Sequence, residues 1–343
     1  IKHQREVVRN DKIPSIEKYK LEPNKMQTQF INNLRSILDT GQERALLISA
    51  TGTGKTYASA FAMRELGFKH VLFLVHRIQL AKQTKKSYEK VFGDKVSMGL
   101  VGGGYHDYDA DYVFATVQTI NQDTHMMKYS PEEFDCIVLD EAHHTSANTY
   151  QRVLNYFKPK LFLGMTATPD KRDDNNEGQN IYEIFNYQIA CDIRLQQAME
   201  DKLLCPFHYF GISDLSYLND KTINAKKITE HDFNQLTSDE RIKHIVSQAS
   251  YYGYSGDRLK GLIFCSRIDE SKELSRKLNQ TINPETGKYF RTVSLDGNTS
   301  ETDRENAFER LAMGDDEAIF SESEEKLTPL DYIFSVEILN EGV

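Results

Sequence analysis

The sequence predicts an α/β protein with parallel sheets, divided into two domains. Three observations carry this. Apolar runs of strand length alternate with amphipathic helical stretches along most of the chain, the rhythm of parallel strands joined by crossover helices. At 343 residues the chain is longer than one ordinary hydrophobic core serves. One apolar run, residues 45–48, leads into a glycine-rich loop closed by Lys55 and Thr56, an order that suits a phosphate group.

Composition narrows the class. Hydrophobic residues are 39% and charged residues 27%, the balance of a soluble globular protein. No apolar run approaches the roughly 20 residues of a membrane span. The opening Ile1-Lys2-His3-Gln4-Arg5-Glu6 has no signal-peptide core. Cys136, Cys191, Cys205 and Cys265 are scattered without metal-ligand spacing, and two lie in apolar runs. They read as buried free thiols in a reducing, cytoplasmic setting, with no membrane partner. The net charge of −9 argues against bulk attraction to nucleic acid but leaves a local grip in a groove open. The chain has no initiator Met and stops at Asn340-Glu341-Gly342-Val343, within what reads as a strand and its turn. It is therefore expected to be part of a longer protein.

Residues 1–20 are charged and weakly patterned, an extension or linker. Pro23 to Gln27 opens a helix with Met26, Phe30, Ile31, Leu34 and Leu38 at helical spacing, ended by Thr40-Gly41-Gln42. Gln27 stands where a side chain could read an adenine edge. On its own it reads better as a surface glutamine at a helix start. In the loop, Ser49 replaces the glycine that strict spacing asks for, yet Gly52-Thr53-Gly54-Lys55-Thr56 is complete. Its backbone N–H groups can turn around phosphate oxygens, Lys55 can reach the β- and γ-phosphates, and the Thr56 hydroxyl can join a Mg²⁺ shell. The helix that follows, about 57–66, aims its N-terminus at the same phosphates.

Residues 70–75 form the next strand, with His76 to Thr84 turning into a helix. Gly102-Gly103-Gly104 is a loop without an assigned role. Strand 111–115 ends in Thr116-Val117-Gln118-Thr119. Polar groups at these strand ends lie where such a sheet places its ligand. Arg77, Thr116, Gln118 and Thr119 can contact a phosphate backbone, or solvate loops and cap helices. Strand 136–139 runs into Asp140-Glu141-Ala142-His143-His144. Asp140 can hold a metal through water, and Glu141 can orient and deprotonate an attacking water.

A helix with Tyr150, Val153, Leu154 and Phe157 leads to strand 161–165 and Thr166-Ala167-Thr168-Pro169. Residues 170–178 read as a polar loop. A helix near 193–204 and a strand at 207–212 lead out of the first domain, and 214–239 resists assignment. The rhythm then resumes: helix around Ile242 to Ala249, strand 262–265, helix 269–279, strand 290–295, helix 301–313, strand 332–336. The second half has no phosphate loop. Its acidic stretch 314–326 reads as a solvated, mobile insertion. The expected divisions are 1–20, 21–190, a connecting segment 191–240, and 241–343.

These pieces in this order resemble the superfamily 2 helicases and translocases, from about Leu21 to Val343. Residues 49–56 look like motif I, where that superfamily usually has a small residue at the position of Ser49. Residues 76–83 look like motif Ia, 116–119 like the nucleic-acid-contacting motif before motif II, and Asp140 to His143 like motif II in its Asp-Glu-Ala-His form. Thr166 to Pro169 look like motif III, 261–267 like motif IV, and 335–343 like the start of motif V. His144, the Thr-Ala-Thr-Pro run and Leu339-Asn340-Glu341-Gly342-Val343 resemble the helicase domains of type III restriction subunits. Pro206-Phe207-His208-Tyr209-Phe210-Gly211 resembles a bacterial group that often carries a phospholipase D-like nuclease domain upstream and a domain of unknown function downstream.

The resemblance implies two RecA-like domains with Mg²⁺ and ATP in the cleft between them, the second truncated before motif VI. It assigns the nucleotide to Gln27, Thr51, Gly52, Thr53, Gly54, Lys55, Thr56 and Gly342, which reverses the first reading of Gln27. It assigns the metal to Thr56 and Asp140, and catalysis to Lys55, Asp140, Glu141 and His143. Thr166 and Thr168 would couple the cleft to the strand. Arg77, Thr116, Gln118, Thr119, Arg267 and Ser335 would contact nucleic acid, DNA rather than RNA. The implied activity is an ATP-dependent helicase or translocase, with a possible nuclease domain in the full-length protein. The alternative is a nucleotide-dependent clamp without turnover. Motif VI supplies an arginine finger, which contributes about 10³–10⁵ in rate. Without it this chain is expected to bind ATP and hydrolyse little.

Overall fold

The computed structural model describes residues 21–145, 148–169, 180–214, 229–253, 259–314, 319–320 and 326–336. Asn24 starts the first helix, α1 (Lys25–Asp39), with a reciprocal capping box: its side chain accepts from Gln27 N, and Gln27 Oε1 accepts from Asn24 N, both at 2.9 Å. Met26, Phe30, Ile31 and Leu34 form its buried stripe. Next come β1 (Arg44–Ser49), α2 (Lys55–Leu66), β2 (Val71–Val75), α3 (Ile78–Phe92), β3 (Met98–Gly102), β4 (Tyr105–His106) and β5 (Tyr112–Thr116). Short helices α4 (Val117–Ile120) and α5 (Asp123–Met126) lead to β6 (Cys136–Asp140). Then follow α6 (Asn148–Tyr156), β7 (Leu161–Thr166), α7 (Ile181–Ile184), β8 (Ile189–Ile193) and α8 (Leu195–Glu200).

The strands form one sheet in the order β4-β3-β5-β2-β6-β7-β1-β8. All neighbours are parallel except the β3–β4 pair. The central strands are apolar throughout because both faces are covered. Leu47, Phe73, Phe114, Val138 and Leu163 face one core with Phe30, Phe61 and Tyr88. Their alternates Leu46, Leu72, Val113, Ile137 and Leu139 face a second core with Tyr150, Val153 and Phe157. Parallel strands place all their carboxyl ends on one edge, so Ser49, Val75, Thr116, Asp140 and Thr166 line a common rim.

The chain separates into two compact units between Phe207 and His208. In the second, α9 (Glu230–Leu236), α10 (Asp239–Tyr252), β9 (Gly261–Phe264), α11 (Ile268–Leu278), β10 (Thr292–Leu295), α12 (Glu301–Ala312) and β13 (Tyr332–Ser335) surround a parallel sheet of order β10-β13-β9. Ile242, Leu274, Leu278, Phe290 and Phe334 fill one face, and Leu295, Ala307, Leu330 and Ile333 the other. One of its buried carboxylates, Glu270, accepts from Arg241 Nη1 at 3.1 Å and from Ser266 Oγ at 2.9 Å.

Several expectations need correction. Residues 207–212 are not a strand. Phe207, Tyr209, Phe210 and Ile212 are all exposed, and no described strand pairs with them. The expected helix at 193–204 is only α8, because residues 189–193 instead add β8 to the edge of β1. Strand β3 was not anticipated. At the acidic stretch, β11 (Ile319–Phe320) pairs antiparallel with β12 (Lys326–Leu327), and residues 315–318 and 321–325 lie outside the described residues. Of the thiols, Cys136 is buried, Cys191 and Cys265 are half-buried, and Cys205 is exposed. Residues 1–20 and 170–178 lie outside the described residues. No helix among the described residues is long and apolar enough to cross a membrane.

Candidate functional site

The site is built on the rim of the large sheet. Between β1 and α2 the loop turns twice through left-handed backbone, at Gly52 (φ 85°) and Gly54 (φ 88°). A side chain is strained at such angles, so glycine is required for this course. Thr53 Oγ1 donates to Ala50 O at 2.6 Å, and Ser49 Oγ lies 2.6 Å from the same Thr53 oxygen. With the Thr53 proton committed, Ser49 is the donor, so a serine at this place staples the loop to the strand end. Lys55 Nζ donates to Ser49 O at 3.1 Å. Thr51 and Gly52 are exposed, while Gly54, Lys55 and Thr56 are half-buried at the start of α2. The loop and helix start together present several backbone N–H groups, an anion cradle.

Gln27 is buried, not on the surface, and its Nε2 reaches Gly54 O at 3.5 Å. The capping box that starts α1 therefore also brings this glutamine against the loop. Leu204 covers the loop from the other side, with Cδ2 3.0 Å from where a Cβ on Gly52 would stand.

Asp140 and Glu141 follow β6. Glu141 has φ 50° and ψ 49°, a left-handed conformation uncommon outside glycine, and its N–H donates to Asp140 Oδ1 at 3.1 Å. Glu141 Oε2 lies 3.2 Å from His143 Nδ1, and that nitrogen is 3.0 Å from Thr166 Oγ1. Thr168 N donates to Thr166 Oγ1 at 3.1 Å. With its proton on Nδ1, His143 donates toward the Glu141 carboxylate, and the chain Glu141–His143–Thr166–Thr168 ties the end of β6 to the end of β7. His143 Nε2 is buried and finds no hydrogen-bond partner among the described residues.

The charges interact. Burial lowers the Lys55 pKa, while Asp140 and Glu141 oppose that shift. Burial, with the Glu141 charge beside it, pushes the Asp140 carboxyl up to about 6, against the pull of Lys55. Burial also acts to raise Glu141, but the His143 hydrogen bond, with the charges of His143, Lys55 and His76, outweighs it and holds the carboxyl below the usual range. Two adjacent carboxylates thus have opposite tendencies. Glu141 is ionised and anchored, and Asp140 is the one that gains most from a cation.

The donor set fits a magnesium ion that arrives on phosphates. Mg²⁺ is commonly held by one or two carboxylates plus phosphate oxygens and water, and this rim offers the Asp140 carboxylate and the Thr56 hydroxyl. No group of three or more metal-binding side chains that could hold an ion by itself occurs among the described residues.

The predicted strand-contact residues of the first unit, Arg77, Thr116, Gln118 and Thr119, stand on the same rim. Arg77 is exposed at the extended N-cap of α3. Thr116 caps α4, accepting from Thr119 N at 3.2 Å and lying 2.8 Å from Thr119 Oγ1, so its hydroxyl performs the capping role. Gln118 is exposed. In the second unit, Arg267 makes two bonds to Asp269, at 2.8 and 2.6 Å, and Ser335 is fully buried at the end of β13. Gly342 lies outside the described residues. His76 was absent from the predicted set. Leu74 pairs with Leu139 in register, which carries His76 alongside Glu141.

Residues 20–171 match the family model described as Type III restriction enzyme, res subunit. The Type I restriction enzyme EcoAI endonuclease subunit of Escherichia coli is 28% identical over 314 residues, 83% of this chain and 38% of that protein. The DNA 3'-5' translocase XPB2 of Sulfurisphaera tokodaii is 27% identical over 138 residues, 40% of this chain and 29% of its own length. Among solved structures, an ATP-dependent Type ISP restriction-modification enzyme, LlaBIII, bound to DNA, is similar in fold with a TM-score of 0.63 at 19% identity, covering 94% of this chain and 25% of that one. The chain thus spans well under half the length of each of these relatives.

Proposed function

We infer that this chain, whose residues 20–171 are a domain of the type III restriction res-subunit family and which is homologous to type I restriction subunits and superfamily 2 helicases, is the ATP-driven core of a nucleic-acid translocase. The observation that carries the reading is the network on the rim: Lys55 within the electrostatic reach of Asp140 and Glu141, and Glu141 anchored through His143 to Thr166.

In this proposal the loop from Thr51 to Gly54 binds phosphate oxygens through its backbone N–H groups. Lys55 balances the β- and γ-phosphate charge. Gln27, seated against Gly54, takes the base. Thr56 and Asp140 hold Mg²⁺, which when bound supplies charge neutralisation at the phosphates. Glu141 orients the attacking water and accepts its proton, and His143 fixes the carboxylate in place for that step. Thr166 and Thr168, bonded to His143 in series at the end of β7, couple the site to the strand, which Arg77, Thr116, Gln118 and Thr119 grip at the ends of β2 and β5. Arg267, Ser335 and Gly342 belong to the same proposal from the second unit. DNA as the polymer, a nuclease domain in the whole protein and a cytoplasmic location complete it. The restriction enzymes among the relatives support DNA.

Steady-state ATP hydrolysis by this chain and by the full-length protein, with and without duplex DNA, single-stranded DNA and RNA, tests the reading. Stimulation of the full-length protein by a nucleic acid is expected, DNA ahead of RNA, with little turnover by this chain alone. ATP binding without stimulated turnover in the full-length protein would favour a nucleotide-dependent clamp instead.

A further inference from the structure

Beside the predicted strand-contact residues stands a small hairpin that belongs to none of the motifs read from the sequence. Gly102, Gly103 and Gly104 join β3 to β4 with φ of 111°, 59° and 90°. Val101 pairs with His106 and Gly102 with Tyr105, and the ladder continues as Asp107 N donates to Leu100 O at 3.0 Å. Because β3 is parallel to β5, the turn projects from the carboxyl edge, beside Thr116.

The hairpin is fixed on three sides. A Cβ on Gly102 would meet Thr119 Oγ1 at 2.6 Å, so this glycine lets the turn lie against α4. A Cβ on Gly103 would meet Ile78 at 3.0 Å, so the turn also lies against the first turn of α3. Tyr108, just past the hairpin, bonds through its hydroxyl to His125 Nδ1 at 2.6 Å on α5. The turn is thus wedged between the elements that bear Arg77 and Gln118.

What the hairpin presents is Tyr105. Its side chain is 40% exposed in a protein that otherwise buries its aromatic residues on this sheet. Lys82 Nζ, one helical turn beyond Ile78, lies 5.4 Å from the Tyr105 ring centroid. An exposed aromatic ring on a fixed support, with a cation at its face, is the arrangement that stacks an unpaired nucleobase while the cation meets the adjacent phosphate. Paired bases in a duplex cover their faces and cannot use it.

We propose that Tyr105 is a base-stacking residue for single-stranded nucleic acid, with Lys82 supplying charge at the same step. This rests on the nucleic-acid reading above and adds to it a named contact and a preference for unpaired bases.

The chain contains no tryptophan, so Tyr105→Trp gives a single tryptophan at the proposed contact, excited selectively over the tyrosines. Titration with oligothymidylate is expected to quench that emission, and blunt duplex is expected to leave it unchanged. In parallel, anisotropy of a labelled single strand is expected to show Tyr105→Ala binding on the order of tenfold more weakly, with Tyr105→Phe near wild type because the ring and not the hydroxyl is used. Single-strand binding by anisotropy with no change in Trp emission, and with Tyr105→Ala binding normally, would overturn the stacking proposal and leave the translocase reading standing. Absence of any nucleic-acid binding, by wild type and variants alike, would overturn both. Quenching by duplex equal to that by single strand would overturn the preference for unpaired bases.

Discussion

Glu141 is held in a backbone conformation that costs of order 1 kcal/mol or more, and three neighbours maintain it: Asp140, His143 and, through His143, Thr166. Replacing His143 with Ala removes the anchor without touching the carboxylate. The expected result is retained ATP binding and a hydrolysis rate lowered on the order of tenfold to a hundredfold, read by single-turnover kinetics. Away from the site, Asp135 accepts from Lys69 N at 2.9 Å, His70 N at 3.0 Å and Lys160 Nζ at 2.7 Å. Burial acts to raise its pKa, but these partners outweigh it and hold the carboxyl low. A folded value below the unfolded one, about 3.9, means the stabilisation is full above that pH and fades as pH falls through the folded value. Asp135→Asn is expected to lose about 1–2 kcal/mol at pH 7, with the gap closing toward pH 3 in denaturant melts. At this scale the meeting of Lys55 with Asp140 and Glu141 on one rim was legible because phosphate chemistry restricts both residue type and spacing. His76 was not, because its place beside Glu141 depends on pairing between strands distant in sequence.

The elements show a similar division. The central strands were legible since burial on both faces leaves an unbroken apolar run. Strand β3, Met98-Gly99-Leu100-Val101-Gly102, was obscured by its glycines, yet those glycines are what the packing needs: a Cβ on Gly99 would stand 2.5 Å from Asp107 Cβ. β8 was hidden by Asp192 and Cys191 at the edge of the sheet, where a strand is half-exposed and its pattern weakens. Two predictions belong here. Gln27→Ala breaks the capping box of α1, and thermal melts are expected to show about 1 kcal/mol of lost stability, together with weaker discrimination of ATP from GTP. Gly102→Ala forces a Cβ against Thr119 at a left-handed backbone position, and the expected cost is about 1–3 kcal/mol. Its α4 amides should exchange faster with solvent, while ATP binding stays intact.

Across the whole molecule, the phosphate loop, both acidic residues, the His143–Thr166 link and the first strand-contact set all lie in the unit that ends at Phe207. The second unit offers a parallel sheet with its own core and Arg267 engaged by Asp269. The proposal places phosphate binding on the first unit, and its central claim is that Glu141 acts on water and not in binding ATP. The direct measurement is Glu141→Gln in the full-length protein, following ATP binding by a fluorescent analogue and hydrolysis by phosphate release with DNA present. The account predicts binding within a few-fold of wild type and hydrolysis lowered at least a hundredfold. Hydrolysis near the wild-type rate in that variant would contradict it.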